Sequence, residues 1–581
     1  MLCTAICAAV VLALPPQPAV ATQIDAAIAP SFAADAPGAT VIVVKDGKTI
    51  LRRAYGVADT ATGAALRPEM VMRLGSITKQ FTAAAILLLA EERKLSIDDD
   101  IRKHLPGYPT HGKRITVEHL LTHTSGIVSF TSKPGEEGRA LRDIGVDDMI
   151  DFFKNDPLDF EPGSEFRYNN SGYFLLGAII EAVSGEPYHS FLKRRIFVPL
   201  GMKDTAYEGH ARRAAPVAVG HSRGEKGFEH AAPLSMSQPY AAGALVSTVD
   251  DLARWDAAIA SGRLLSPASW RRAFTSYRLN DGKPTGYGYG WETGKVQGEA
   301  MVGHGGAING FTSFALRIPE RKVYVAVLSN SDSGPANPGL VARKAAAVAI
   351  GKPYREFVEV ALPPDALDAV SGTYDAGEGV QRVFRRAREG LLMQLSGQPP
   401  VRLTAASKNE FFVARGLDWF AFQRDANGKV LGVTLHREGE ALSNPRLGDA
   451  PAGRQAVTIP HAAFDRHAGR YQLRPDLVIE FTREGDRYFG QALGQDRLEI
   501  FPLGENVFFS DAADAEIVFE GEGLVLKQGG RTTPGRKLIS DGLPAHPPAA
   551  APPCAGSSPP SHSDTGSHPG TPSCPSDRGG S

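Results

Sequence analysis

The last third of the chain repeats itself. The segment "DAVSGTYD" places Gly372 and Tyr374 where "DRHAGRYQ", 97 residues later, places Gly469 and Tyr471. The same offset relates Gly397-Gln398 to Gly494-Gln495, Phe411-Phe412 to Phe508-Phe509, and Phe422 to Phe519. Each copy consists of short alternating apolar and polar runs broken by Gly, Asp and Asn, the pattern of antiparallel strands joined by turns. We therefore predict two small antiparallel β-barrels or sandwiches.

The part before the repeat follows another pattern. A strand, a turn at Asp46-Gly47 and a second strand open it, and "SITKQFTAAAILLLAEERKL" is typical of a helix. Further helices are predicted around 116–123, 146–154, 171–184 and 247–260, and strands near 312–318 and 322–329. Strands at both ends with helices between them predict an α/β (α+β) body whose terminal strands share one antiparallel sheet beside a helical cluster.

The predicted organisation has five parts. These are a signal peptide at 1–21, the α/β body at 22–360, one barrel at 361–455, a second at 456–541, and a disordered Pro/Ser/Gly-rich tail at 542–581. The first part has a short apolar run and a small-x-small cleavage motif ending at Ala21, which favours export to the periplasm or medium; the alternative is a buried N-terminal helix. The run is too short to span a membrane.

Composition excludes several function classes. The net charge of −1 gives no electrostatic basis for binding nucleic acid. The four cysteines, Cys3, Cys7, Cys554 and Cys574, lie outside 22–541, so the body has no thiolate nucleophile and no cysteine metal site. His119 and His123 have the i,i+4 spacing of helical metal ligands but lack the H-E-x-x-H pattern, and we predict a structural role for them. We expect neither a metal nor another cofactor.

Ser76 and Lys79 head the long apolar helix of the body. Residues at i and i+3 share one helix face, so the lysine amine can reach the serine hydroxyl. A desolvated lysine can lose its proton near neutrality and activate a hydroxyl nucleophile. Taken alone the pair is weak evidence, because a serine at this position can equally be a helix cap.

Two later motifs add partners for such a nucleophile. "FRYNNSGY" contains Tyr168 and Asn170, and "MVGHGGAINGF" contains His304, Gly305 and Gly306. A tyrosine can transfer the second proton. Consecutive glycines on a strand edge let a substrate approach the backbone closely.

These three motifs in this order resemble the serine β-lactamase and penicillin-binding superfamily. The likeness is strongest to the branch with class C β-lactamases, D,D-carboxypeptidases, D-aminopeptidases and esterases, and covers roughly residues 35–350. It implies an acyl-serine enzyme with Ser76 as nucleophile, Lys79 as proton acceptor, and Tyr168 as general base and acid. It further implies substrate binding by Asn170, His304, Gly305 and Gly306, and an oxyanion hole formed by the backbone N–H groups of Ser76 and Ala307.

A catalytic domain followed by two barrels resembles the three-domain D-aminopeptidases. The resemblance implies D-aminopeptidase or D-amino-acid peptidase activity on small peptides, amides or esters. In that layout a loop of the last barrel reaches the active site, which here would place Asp511 or Asp514 near a substrate ammonium; the alternative is a solvated turn. A carboxylesterase or β-lactamase on the same machinery, and a penicillin-binding sensor that stalls after acylation, remain open. The oligomeric state is open too.

Overall fold

The computed structural model of the protein describes residues 19–538, except for 134–140, 211–214, 225, 388–389, 397, 475–476, 493–494, 496 and 529–530. Most of the predicted signal peptide, the tail at 542–581, the four cysteines and two repeat positions, Gly397 and Gly494, therefore lie outside the described residues.

The body contains one large sheet and several two- or three-stranded ones. Its strands are Ala39–Lys45 (β1), Lys48–Tyr55 (β2), Val57–Asp59 (β3), Ala64–Ala65 (β4), Met72–Arg73 (β5), Ala206–Tyr207 (β6), His221–Gly224 (β7), Gly227–His230 (β8), Leu245–Ser247 (β9), Glu292–Val296 (β10), Glu299–Ile308 (β11), Phe311–Ile318 (β12) and Val323–Ser329 (β13). The large sheet is antiparallel in the order β10-β11-β12-β13-β1-β2. Ala39 pairs with Ser329 and Lys45 with Val323, which confirms that the two ends of the body meet in one sheet.

Helices cover both faces of this sheet. They are Val20–Ile28 (α1), Thr78–Glu91 (α2), Val117–Leu121 (α3), Val146–Phe153 (α4), Asn170–Ser184 (α5), Tyr188–Leu192 (α6), Val198–Leu200 (α7), Tyr240–Gly243 (α8), Val249–Ser261 (α9), Pro267–Ala273 (α10) and Pro338–Ala349 (α11). Helices α1 and α11 pack on one face. The cluster around α2 and α5 packs on the other, and α2 is buried from Thr78 to Leu89, as expected of a helix apolar on all sides.

Two closed eight-stranded barrels follow the body. The first consists of Pro364–Val370 (α12), Gly372–Asp375 (β14), Gln381–Ala387 (β15), Gly390–Leu395 (β16), Val401–Ala405 (β17), Glu410–Phe412 (β18), Trp419–Arg424 (β19), Val430–Arg437 (β20) and Glu440–Gly448 (β21). The second consists of His461–Asp465 (α13), Gly469–Arg474 (β22), Leu477–Glu484 (β23), Arg487–Ala492 (β24), Leu498–Pro502 (β25), Val507–Ser510 (β26), Ala515–Glu520 (β27), Gly523–Gln528 (β28) and Arg531–Lys537 (β29). The predicted fold class is thereby confirmed, with barrels rather than sandwiches.

The sequence repeat is a repeat of contacts. The Tyr374 hydroxyl donates to the carbonyl of Val370 at 2.8 Å, and the Tyr471 hydroxyl donates to that of His467 at 3.0 Å. Both tyrosines are buried and fasten the first barrel strand to the turn before it. The repeated tyrosine therefore makes the equivalent hydrogen bond in each barrel.

Segments without regular secondary structure, 351–363 and 449–460, separate the three folded units. The first barrel also touches the body directly, since the Gly298 amide in the β10–β11 turn donates to the Glu438 carbonyl at 2.7 Å. The predicted domain boundaries remain predictions. Within the described ranges, no helix has the length and apolar character needed to cross a bilayer.

Candidate active site

Ser76 lies where the loop after β5 turns into α2. Gly75–Ile77 forms a single 3₁₀ turn, and α2 begins at Thr78, so the serine precedes the helix by two residues. Gly75 has φ +53°, and a Cβ there would lie 2.9 Å from the Ala307 nitrogen. Only glycine combines this backbone with this close approach, and it brings the backbone beside Ser76 against the edge of β11.

Lys79 stands below Ser76 and is fully buried. Its Nζ lies 3.0 Å from Ser76 Oγ, 2.9 Å from Asn170 Oδ1 and 3.0 Å from the Ala242 carbonyl oxygen. Burial lowers the pKa of this amine well below its usual range. Among the residues that the structure describes, no carboxylate forms an ion pair with it, so nothing opposes the desolvation.

These three contacts can take up all three N–H bonds of a charged amine, and it is the burial of Lys79 that favours its neutral form. The oxygens of Asn170 and Ala242 can only accept, so two N–H bonds of Lys79 point at them. The remaining position on Nζ faces the Ser76 hydroxyl, and in the neutral amine that position is the lone pair. The Ser76 O–H can therefore donate to Lys79, the direction in which a base receives the proton.

Tyr168 and Asn170 meet the pair from the other side. The centroid of the Tyr168 ring lies 4.7 Å from Lys79 Nζ. Burial of the ring raises the pKa of Tyr168, and the nearby Ser76 hydroxyl opposes that rise only in part. Although 40% of the residue surface is exposed, protein packs closely around the phenol, so it is protonated in the resting site.

Asn169 fixes the chain between these two residues. Its side-chain oxygen caps α5 by accepting from the Gly172 backbone N–H at 2.7 Å. The backbone N–H of Asn169 donates to His123 Nδ1 at 3.0 Å. The cap makes Asn170 the first residue of α5. The side chain of Asn170 is thereby directed at Lys79.

The edge of β11 forms the opposite wall. Past Gly303 the strand pairs with β12 alone, so Gly305, Gly306 and Ala307 lie on a free edge. A Cβ on Gly306 would lie 2.0 Å from the Leu74 carbonyl oxygen, so the Ser76 loop packs directly on this glycine. Ser313 also donates to that carbonyl, at 2.8 Å. The strand edge and the nucleophile loop are thus held against each other.

His304 lies beside Tyr168, with ring centroids 6.1 Å apart, and is almost fully buried. It is 2% exposed; its Nδ1 is 2.5 Å from the Gly305 carbonyl oxygen and its Nε2 is 2.7 Å from the Tyr287 hydroxyl. The carbonyl can only accept, so Nδ1 carries the proton and Nε2 accepts from Tyr287. Burial, with the nearby Lys79, lowers the pKa of His304 to about 3. Substrate binding by His304 stays a prediction, and in the structure the residue packs behind the site.

Tyr287 is a site residue that the sequence reasoning missed. It is buried, and its ring lies 4.7 Å from that of His123 and 6.4 Å from that of Tyr168. The signal available in the sequence was the Tyr/Gly alternation of "GYGYGW", which carries no chemistry until the fold places it behind His304.

Three further residues that the sequence suggested as functional candidates have structural contacts in the fold. The i,i+4 spacing predicted His119 and His123 on one helix face. Helix α3 ends at Leu121, so the two residues do not share a helix face. His119 caps that helix, and His123, at φ +60°, packs its ring 4.3 Å from that of Tyr168. Asp514 accepts from Gln394 of the first barrel at 2.9 Å, so the loop at 510–516 contacts that barrel, and an approach of Asp511 or Asp514 to a substrate ammonium stays a prediction.

The serine–lysine spacing alone does not make a site. Ser190 and Lys193 have the same i,i+3 spacing, yet Lys193 is exposed. Lys79 differs because a hydrophobic cluster surrounds it and Asn170 and Ala242 hold its amine. A buried lysine touching a hydroxyl beside a free strand edge is the arrangement of an acyl-serine hydrolase.

Comparison with known proteins agrees with this class. Residues 24–350 match the Beta-lactamase family model, which is more than half of the chain. The protein therefore belongs to the Beta-lactamase family, the serine hydrolases that include the penicillin-binding proteins.

Two relatives and one solved structure give the extent of the likeness. A penicillin-binding protein of Bacillus subtilis is 27% identical over 402 residues, covering 64% of this chain and 87% of the relative. Protein flp of Staphylococcus aureus is 30% identical over 308 residues, and the match spans 60% of its length. The octameric penicillin-binding protein homologue from Pyrococcus abyssi matches with a TM-score of 0.52 and 28% identity, covering 73% of this chain and 99% of that one.

Proposed function

We propose that this protein hydrolyses amide bonds of small D-amino-acid peptides through an acyl-enzyme on Ser76. The observation that carries the proposal is the 3.0 Å contact between Ser76 Oγ and a buried Lys79 whose other two partners only accept. Burial of Lys79 favours the neutral amine, which supports its role as a base for the nucleophile before substrate arrives.

The steps follow from these contacts. Ser76 Oγ attacks the substrate carbonyl carbon while its proton passes to Lys79 Nζ. The carbonyl oxygen becomes an oxyanion, for which the amides of Ser76 and Ala307 are the candidate donors. The Tyr168 hydroxyl gives its proton to the leaving nitrogen, the C–N bond breaks, and protonated Lys79 returns a proton to Tyr168.

Water completes the cycle by the same route. It attacks the ester carbon, its proton passes through Tyr168 and Lys79 to Ser76 Oγ, and the acid is released. Because burial keeps Tyr168 protonated at rest, its first act is as an acid. Lys79 is then the general base in acylation. Lys79 and Tyr168 share that role only in deacylation.

Three observations support a peptide-like amide substrate. The free edge of β11 offers backbone hydrogen bonds to an extended chain, as in strand addition. The layout of one α/β body and two barrels is that of the three-domain D-aminopeptidases that the sequence resembles. Relatives named for penicillin binding also point to amides, since penicillins are strained cyclic amides.

The test compares four substrates and three proteins. D-Alanine and L-alanine p-nitroanilide, p-nitrophenyl butyrate and nitrocefin are given to the wild type, to Ser76→Ala and to Ser190→Ala, whose serine has the same spacing to a lysine. We expect preferential cleavage of the D-anilide by the wild type and Ser190→Ala, and loss of at least about 10³-fold in Ser76→Ala. Turnover of the ester alone would make the protein an esterase, and a stable lactam adduct without turnover would make it a penicillin sensor.

We also propose that the protein is exported, on the strength of the segment at 1–21. Expression of the full chain in a bacterial host, followed by fractionation and N-terminal sequencing, tests this. A mature protein beginning at Thr22 in the periplasm or medium is expected, whereas an intact Met1 in the cytoplasm would overturn it.

A further inference from the structure

Away from Ser76, two strands and a hairpin bring three metal-ligating side chains together. Asp59 ends β3, and His221 and His230 are directly paired across the β7–β8 hairpin. One ligand atom from each lies within 4.8 Å of the other two. Opposed residues on an antiparallel pair project from the same face of the sheet, which is why two histidines from one hairpin can meet a third group.

The hydrogen bonds of His221 leave its outer nitrogen unprotonated. Nδ1 lies 3.2 Å from the Asn330 carbonyl oxygen, which can only accept, so Nδ1 carries the proton. Nε2 is then a lone pair, and the Thr60 amide donates to it at 3.2 Å. A histidine whose inner N–H is fixed by a backbone carbonyl is oriented as metal-binding histidines usually are.

Asp59 and His230 supply the other two atoms. His230 Nε2 is 2.9 Å from Asp59 Oδ1, and the Ala61 amide and Thr62 hydroxyl bond the same carboxylate. Ligand atoms on one tetrahedral zinc ion are roughly 3.3 Å apart for bonds of about 2.0 Å. The three ligand atoms, which lie within 4.8 Å of one another, would move to that spacing on binding, with the ion replacing the Thr60 amide as the partner of His221. Because His230 is exposed, a fourth position is open to water.

We propose that Asp59, His221 and His230 bind one divalent transition-metal ion of the zinc class, distinct from the Ser76 site. Two imidazoles and one carboxylate select such an ion over calcium or magnesium, which prefer oxygen ligands. The ion would tie the β7–β8 hairpin to β3. The hairpin in turn borders the β11–β12 turn, because His221 N–H donates to the Gly310 carbonyl and Asn309 donates to that of Ala232.

The experiment uses tag-free full-length protein stripped with a chelator and titrated with ZnCl₂ by calorimetry, with CoCl₂ absorption as a second readout. We expect one ion per chain and a rise of Tm with added zinc. His230→Gln and Asp59→Asn are each expected to weaken binding by at least about 10–100-fold, the range seen even for loss of an outer partner. His221 is left intact, because its contacts with Asn330 make its replacement a risk to folding.

The matched control is His461→Gln. His461 forms the same kind of pair, 2.7 Å from Asp486, but on an exposed surface of the second barrel, where the described residues supply no third ligand atom to complete a cluster. It is expected to bind zinc as the wild type does. The proposal is overturned if the wild type shows no saturable zinc binding, if His230→Gln binds equally well, or if calcium or magnesium binds in place of zinc.

Discussion

Gly306→Ala tests whether the strand edge and the Ser76 loop must touch. The added Cβ would lie 2.0 Å from the Leu74 carbonyl oxygen and 2.4 Å from Ser313 Oγ. Real Cβ contacts are not shorter than 3.0 Å, so the loop and the strand have to separate by at least 1.0 Å. Leu74 is two residues from Ser76, so this separation opens the site itself.

The magnitude follows from that displacement. A misplacement of 1 Å at a reacting group costs about 10²-fold in rate, equivalent to about 2.7 kcal/mol of activation free energy. Overpacking also destabilises the fold by about 1–3 kcal/mol. A body of this size tolerates that cost, so we expect a folded protein with a lowered Tm and about 1% of wild-type kcat/KM.

The neighbouring glycine is the control. A Cβ on Gly305 would come no closer than 3.4 Å to its nearest neighbour, Phe314 Cδ2, which is ordinary contact. Release of p-nitrophenol or p-nitroaniline is measured for both variants, with circular dichroism and thermal melts as folding checks. Equal activity of Gly306→Ala and Gly305→Ala, with both folded, would refute the reasoning about this edge.

Three further predictions concern single groups. Lys79 acts only when neutral, and burial lowers its pKa, so kcat/KM should rise with pH and level off well below the usual lysine value of 10.5. A midpoint near 10.5, or the same rise with pH in Lys79→Met, would contradict this. Tyr287→Phe leaves the buried Nε2 of His304 without a donor, so it should lower the free energy of unfolding, measured in denaturant melts, by about 1–3 kcal/mol. The control is Tyr277→Phe, at a tyrosine outside this hydrogen bond, which should not show a loss of that size. Tyr374→Phe and Tyr471→Phe each lose one equivalent hydrogen bond, so each should cost about 1 kcal/mol in its own barrel; clearly unequal costs would show that the two copies are not equivalent.

Local signals made much of the fold predictable. The offset of 97 residues predicted two similar β units because a repeated tyrosine, glycine and phenylalanine pattern has to satisfy the same contacts twice. The apolar run after Ser76 predicted a buried helix, and the terminal strands were expected in one sheet. The strands and the helix depend on periodicity within short segments, whereas the two barrels were predicted from the repeat and the shared sheet from the order of strands and helices along the chain.

The rest depends on contacts between distant segments. Nothing in "HGGA" says that His304 turns inward, since that follows from Tyr287 lying behind it. The position of Asp514 depends on how the second barrel meets the first, through Gln394. Asp59 and His221 likewise come from segments far apart in the chain, so the sequence offered no spacing to recognise.

The central claim is that Ser76 is the nucleophile and Lys79 its base. We would treat the wild type, Ser76→Ala and Lys79→Met with p-nitrophenyl butyrate, quench with acid, and map the modified peptide by mass spectrometry. The account predicts one butyryl group on the peptide carrying Ser76 in the wild type, none in Ser76→Ala, and much slower labelling in Lys79→Met. Labelling of another residue, or equal labelling of Ser76→Ala, would contradict it.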